Sequence, residues 1–346
     1  MRSRLMPIVA VCICLLSAAD VVGQRRIIEL EIAASRFEPV ETQQRWMQML
    51  SEVGADRVRS KTSGTGTVKI TETELSGSVR IKIQGAIDKG KLVLPGKSFS
   101  IRQKSAIADY IKGIRDDGAN VSLAEKKAFG LTSQQLVDVN KALQAKLNFK
   151  TIGMDAGEFL SKAGRKTGMR MVMDDAARSA VKGRETVLDE LEGFSVGTSI
   201  ASVARTLGLV LVPKRAQGQP VMLHLVDYRS ADEFWPIGWP GNKLGRSSLP
   251  TMYEKFPIEI RNAPLDQALK AVRVRAKVPV LFDHNSMAIA EIDLTKSNVT
   301  YVKDSSNYIN LLTKILNQTK PRMDFEIRID ENGKPFLWLS TANPVR

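Results

Sequence analysis

Cysteine and histidine are the scarcest reactive residues of this 346-residue chain, and their scarcity limits its chemistry. Cys12 and Cys14 lie in one apolar run near the start, and His224 and His284 are far apart in the sequence. A disulfide framework or a cysteine–histidine zinc site needs more of these side chains at closer spacing. The sequence therefore predicts no structural disulfide, no metal site and no cofactor.

Recognisable catalytic motifs are absent as well. No Gly-x-Ser-x-Gly elbow occurs, and the loop Gly64–Gly66 lacks the Lys-Ser/Thr of a phosphate loop. Asp283 and His284 could orient a nucleophile in a hydrolase, although a helix-capping turn explains the same pair. Adjacent acids such as Asp189 and Glu190 do not make a glycosidase pair, and a pairing of distant carboxylates stays open. We predict that the protein is not an enzyme and keep a cell-wall hydrolase as an alternative.

Long apolar runs are confined to the first residues of the chain. Residues 1–24 read as a secretory signal peptide, with Arg2 and Arg4 before the apolar run 5–19. That run is short for a membrane span, although an uncleaved anchor is the alternative. Cleavage near Ala19 or Gly23 would remove both cysteines. The predicted location is therefore periplasmic or extracellular.

Acidic residues are too few to balance the basic ones. The formal net charge is +14, and loss of two arginines and one aspartate with the predicted signal leaves 14 − 2 + 1 = +13. Such a surplus favours an anionic partner, which could be an acidic protein, a charged surface polymer, anionic lipid or nucleic acid. No nucleic-acid-binding motif accompanies it. An ordinary solvated basic surface is the alternative.

The last two-thirds of the chain repeats one pattern at an offset of 109 residues. Both copies place apolar side chains at helical spacing, first Ala156, Phe159, Leu160 and Ala163, then Leu265, Ala268, Leu269 and Val272. A short apolar strand follows each helix and ends in an aspartate, Asp174 or Asp283, which suits the start of the next helix. A second helix and two terminal strands complete each copy, and Asn332-Gly333 marks the last hairpin.

These patterns predict an α+β fold of three small domains. The last two are a duplicated β-α-β-β-α-β-β unit with helices on one face of a small sheet. The predicted segments are the signal peptide 1–24, an N-terminal α+β domain 25–146, a first repeat 147–226, a linker 227–255 and a second repeat 256–346.

The repeats resemble a known family through two phrases, FSVGTSIASVARTLGLVLV at 194–212 and APLDQALKAVRVRAKVPVLFD at 263–283. They are similar to the short N-terminal domains of secretins and TonB-dependent receptors, and the similarity covers about half of the chain. Because no pore or barrel region follows residue 341, the resemblance implies the fold and an interaction role rather than secretion or transport. The whole chain also resembles bacterial exported proteins whose family membership implies no activity.

The predicted linker carries two tryptophans, Trp235 and Trp239, each followed by a proline. Exposed tryptophans can hold sugars or peptides, so both are candidate partner-binding residues. The alternative is that they wedge between the repeats and fix their angle. The function predicted overall is an exported, non-catalytic adaptor of the bacterial envelope that binds a protein partner through sheet edges. A binder of an anionic surface polymer is the alternative.

Overall fold

The computed structural model mixes helices with several small sheets, so the predicted α+β class is confirmed. The structure describes residues 25–34, 38–62, 68–183, 185–241 and 249–342. The predicted signal peptide lies outside these residues. Within the described ranges, no helix combines the length and apolar character needed to cross a bilayer. The chain forms two compact units, Met1–Leu123 and Ala124–Arg346.

The first unit is a mixed sheet with helices on one face. Its elements are β1 (Arg25–Ala34), α1 (Val40–Ser51), β2 (Arg57–Thr62), β3 (Lys69–Leu75), β4 (Ser78–Asp88), β5 (Lys91–Leu94), β6 (Lys97–Phe99), α2 (Lys104–Asp117) and α3 (Ala119–Ser122). β1 lies between β2 and β4 and is parallel to both. On the edge of β4 that faces away from β1, the first part of β4 pairs with β3 and its last residues pair with β5. β5 in turn pairs with β6, and all three of these pairings are antiparallel.

Side-chain alternation along the strands decides which face of this sheet is covered. Ile28, Leu30 and Ile32 of β1 are buried in one core with Trp46 of α1 and Ile111 of α2. Because successive side chains point to opposite faces, the residues between them belong to the other face of the sheet. The intervening positions of β1 are Glu29 and Glu31, which are both charged.

The second unit contains both predicted repeats. Its elements are α4 (Ser133–Leu143), α5 (Ala156–Lys166), β7 (Met171–Met173), α6 (Asp175–Val181), α7 (Val196–Thr206), β8 (Leu209–Lys214), β9 (Met222–Asp227), β10 (Trp239–Pro240), β11 (Phe256–Pro264), α8 (Leu265–Ala276), β12 (Val280–Phe282), α9 (His284–Ile289), β13 (Asn298–Ser306), α10 (Tyr308–Leu316), β14 (Met323–Ile329) and β15 (Pro335–Thr341). Asp174 and Asp283 each cap the short helix that follows, through bonds to Ala177 N and Ser286 N.

The two repeats have the same strand topology. In the first, β9 lies between β7 and β8, parallel to β7 and antiparallel to β8. In the second, β15 lies between β12 and β14 with the same directions. The entry to the first helix also matches, because Ala156 N–H donates to Glu185 O and Leu265 N–H donates to Ser297 O, at 2.9 and 2.8 Å. The duplication read from the apolar pattern is therefore present in three dimensions.

The repeats differ at the first and third strands of the predicted β-α-β-β-α-β-β unit, which in the first copy would be residues 147–152 and 187–191. Isolated bridges flank these stretches, Lys146 with Ser195 and Asp155 with Thr186, and the stretches themselves make single backbone bonds rather than a ladder. The reason is Thr151, whose hydroxyl donates to Asp189 O and accepts from Leu191 N–H, at 2.9 and 2.8 Å. A side chain that takes over backbone partners in this way displaces the regular ladder. In the second copy the equivalent segments form β11 and β13, a two-stranded antiparallel ladder separate from the sheet of β15.

The compact units group the residues differently from the predicted domain list, whose first domain ended at residue 146. Helix α4 belongs to the second unit, where Val139 and Leu143 share one core cluster with Ile200 of α7. Phe336 and Trp338 of the second repeat join the same cluster. The core that fills the first repeat is therefore completed by residues from both sides of it in the sequence.

Candidate functional site

The predicted linker packs between the two repeats. Trp235 is 6% exposed, stacks on Phe129 at 6.2 Å between ring centroids, and meets Trp239 edge to face at 5.4 Å. Its backbone N–H donates to Leu211 O on β8, while Trp239 pairs with Ile329 of β14. The linker thus bridges the sheets of the two repeats. The side chain of Trp235 is buried between the repeats, as the wedge alternative expects. The side chain of Trp239 is only half-buried.

A buried carboxylate holds the second repeat against the first. Glu331, in the turn between β14 and β15, accepts bonds from the Ser195 hydroxyl, from the Thr198 backbone N–H at 3.1 Å and from the Thr198 hydroxyl at 2.8 Å. Its other oxygen accepts the indole N–H of Trp235 at 2.7 Å. The neighbouring Asp330 accepts the Ser195 N–H at 2.9 Å. We call Ser195, Thr198, Trp235, Asp330 and Glu331 the repeat clamp.

Helix geometry explains why an acid is needed at this place. The first turn of α7 contains no acidic residue of its own. The start of a helix carries free N–H groups and a partial positive charge, which a carboxylate stabilises. Glu331 supplies that charge from 133 residues away, counted from Thr198. The sequence patterns did not identify Glu331. The one signal that pointed to such a residue was the helix start Ser195-x-x-Thr198, which has no acidic residue of its own.

The structure separates the two residues of the hydrolase alternative. Asp283 caps α9 and lies 3.3 Å from Nε of Arg205, and both side chains are largely buried. The imidazole Nε2 of His284 lies 3.0 Å from Asp189 of the first repeat instead. Asp283 therefore does not orient His284, and both residues add contacts between the repeats. Among the described residues, no group of three His, Cys, Asp or Glu side chains is placed to hold a metal ion.

A groove with a volume of about 580 Å³ opens beside the clamp. Arg205 lies over the ring of Tyr228 and Arg328 over the ring of Trp338, each 5.4 Å from the ring centroid. Asp232, Asp283 and Glu326 also line the groove, so its two arginines and three acids sum to 2 − 3 = −1. A cleft with that balance does not concentrate anions. The groove is a consequence of how the repeats meet and does not by itself indicate a ligand.

The ladder of β11 and β13 presents unpaired backbone in the second repeat. Each strand is nine residues long, and among the described residues neither has a strand neighbour on its outer side. Ile258 and Val299 face the core, whereas Val302 is 44% exposed. A long edge of this kind is a template for another extended chain.

One side chain occupies part of the outer edge of β13. Gln318 accepts the N–H of Thr300 through Oε1 and donates to the carbonyl of Thr300 through Nε2, both at 2.9 Å. These are the two bonds that a neighbouring strand would make at this residue. Because bonding direction alternates along an antiparallel strand, the N–H and C=O of Val302 point to the same outer side as those of Thr300. The edge from Val302 onward is therefore the accessible one.

Comparison with known proteins gave no match to a family model, to a curated protein or to a solved structure.

Proposed function

We propose that this protein is an exported, non-catalytic adaptor of the bacterial envelope that binds an extended segment of a protein partner. The segment would add as a strand to the outer edge of β13. The single observation that carries the proposal is the two-stranded ladder of β11 and β13, which no third strand completes among the described residues. The family resemblance of the repeats supports an interaction role of this kind.

The geometry of the edge supports strand addition over a side-chain pocket. Backbone bonds from Val302 to Asp304 would supply affinity, and the exposed side chain of Val302 would contact alternate residues of the bound segment. The repeat clamp supports the proposal indirectly, since a ladder held on a rigid unit loses less freedom when a partner binds. The amide of Gln318 would cover the neighbouring position in the absence of the partner.

The test replaces Val302 with proline. Proline removes one N–H and its ring obstructs an incoming strand, yet it is tolerated at an edge where that N–H faces outward. We expect Val302→Pro to weaken partner binding at least about tenfold, because one ladder bond contributes roughly 0.5–1.5 kcal/mol and the obstruction adds to it. Val302→Thr keeps the N–H and the branched shape and serves as the matched control.

The measurement is affinity capture of the tagged protein from an envelope fraction, washed at high salt, with the bound protein identified by mass spectrometry. Binding of the identified partner to each variant is then quantified with purified proteins. Retained affinity in Val302→Pro, with the fold intact by circular dichroism, would contradict strand addition at this edge. Loss in both Val302→Pro and Val302→Thr would place the contact on the side chain instead.

A further inference from the structure

The uncovered face of the sheet in the first unit concentrates basic side chains on β2, β4 and β3, on either side of two carboxylates of β1. Strand register places on this face Arg57, Arg59 and Lys61 of β2, Glu29 and Glu31 of β1, Arg80 and Lys82 of β4, and Lys69 of β3. We call these residues the basic face. Its six cations and two carboxylates sum to 6 − 2 = +4. Adjacent strands are about 4.8 Å apart, so the cations form parallel rows rather than scattered points.

Internal ion pairs use only part of this charge. Glu29 lies 3.3 Å from Arg57 and 3.6 Å from Arg80, so two cations share one carboxylate. Glu31 is shared in the same way by Lys61 at 3.8 Å and Lys82. The hydrogen bond from Lys82 lowers the pKa of Glu31, so this carboxylate stays charged at neutral pH. Each shared carboxylate leaves one cation uncompensated.

The basic face is accessible. The side chains of Arg57 and Lys61 are each 59% exposed, and that of Arg80 is 45% exposed. The helices of the first unit pack on the opposite side, with the apolar residues of β1 and β4. A flat, exposed field of one sign attracts a polymer of the opposite sign.

We propose that the basic face binds a linear acidic polysaccharide, a polymer whose sugar units carry carboxylates. The cations of the basic face complement such a polymer in charge, and neutral polar groups lie among them. Thr71 and Thr73 of β3 and Gln84 of β4 share the face and can donate to and accept from sugar hydroxyls, whereas the carboxylates of Glu29 and Glu31 can only accept. A polymer of carboxylates and hydroxyls matches this mixture of cations and neutral polar groups.

The composition of the face argues against two other polyanions. Binding of single-stranded nucleic acid relies on aromatic side chains that stack on bases, and the face positions of β1, β2, β3 and β4 include none. A membrane-binding surface presents several large apolar side chains that enter the lipid, whereas the large apolar residues of β1 to β4 on this face are Ile27, opposite Arg80, and Leu75 at the end of β3. The site lies in the first unit and is independent of the strand edge proposed above.

The test measures binding of the protein to polygalacturonate at low and high salt. The variant Arg59→Gln/Lys61→Gln/Lys69→Gln removes three cations from the face. The matched control Lys270→Gln/Arg273→Gln/Arg275→Gln removes three exposed cations from α8, so both variants have the same net charge. We expect the face variant to weaken binding about tenfold or more and to flatten its salt dependence, and the control to stay near wild type.

Two results would overturn the proposal. Equal loss in the face variant and the α8 control would show attraction by net charge without a site. Binding of single-stranded DNA or of phosphatidylglycerol vesicles, with no binding of polygalacturonate, would assign the face to a different polyanion. Circular dichroism of both variants separates loss of binding from loss of fold.

Discussion

Replacing the buried carboxylate of the repeat clamp by an amide tests how the two repeats are held together. Glu331→Gln keeps the size and shape of the side chain but removes its charge. The carboxylate accepts four bonds, three on one oxygen and one on the other. An amide presents its NH₂ group to one of these two sets of donors, because only one of its two terminal atoms can accept. At least one buried donor must therefore lose its partner.

The size of the effect follows from two contributions. A buried donor without an acceptor costs about 1–3 kcal/mol. Loss of the negative charge at the start of α7 costs about 0.3–2 kcal/mol. We expect the free energy of unfolding of the second unit to fall by roughly 2–4 kcal/mol, which for a unit of this size lowers its melting temperature by roughly 5–15 °C.

The assay is urea denaturation followed by tryptophan fluorescence, since Trp235, Trp239 and Trp338 all lie in the second unit. Glu326→Gln is the matched control, because its side chain is 58% exposed and its pair with Arg328 contributes at most about 1 kcal/mol. Trp235→Phe removes one of the four donors, so its effect should be smaller in the Glu331→Gln background than alone. A loss in Glu331→Gln no larger than that in Glu326→Gln would refute the clamp.

Two further predictions concern the aspartates that cap equivalent helices in the two repeats and the partly buried histidine of the first repeat. Asp174→Ala and Asp283→Ala each remove a helix cap, worth about 1 kcal/mol. Denaturation should show a clearly larger loss for Asp283→Ala, because it also leaves the largely buried Arg205 without this carboxylate, and equal losses would contradict that role. Burial lowers the pKa of His224, with Lys214 adding to the decrease and Asp174 opposing it. The unfolded chain then binds the proton more readily, so stability should fall as the pH drops below the unfolded value of 6.5. His224→Gln should reduce that dependence in denaturation series from neutral to mildly acidic pH, and an unchanged dependence would count against it.

Local patterns in the sequence predicted the elements whose stability depends on nearby residues. Apolar spacing located α5 and α8, and aspartates located the starts of α6 and α9. The capping box of Thr132 and Gln135 opens α4, and its Thr-x-x-Gln pattern is visible in the sequence. The similar Ser-x-x-Gln pattern of Ser100 and Gln103 does not form a complete box, because α2 begins at Lys104 and, of the two bonds of a box, only that from Ser100 N–H to Gln103 Oε1 is present. Helix caps of this kind join residues within one helical turn. The residues are therefore close in the sequence, and their pattern can be recognised there.

The sequence by itself determined the α+β class, the repeat of 109 residues and the basic surplus, since composition and periodicity carry them. Only the tertiary structure decided which residues meet across the repeats. Glu331 reaches α7 through a hairpin turn, and Trp235 is buried by two sheets. The basic face likewise exists because register aligns residues of four strands. Pairing of segments distant in the chain depends on packing of the whole unit, and no local pattern encodes that geometry.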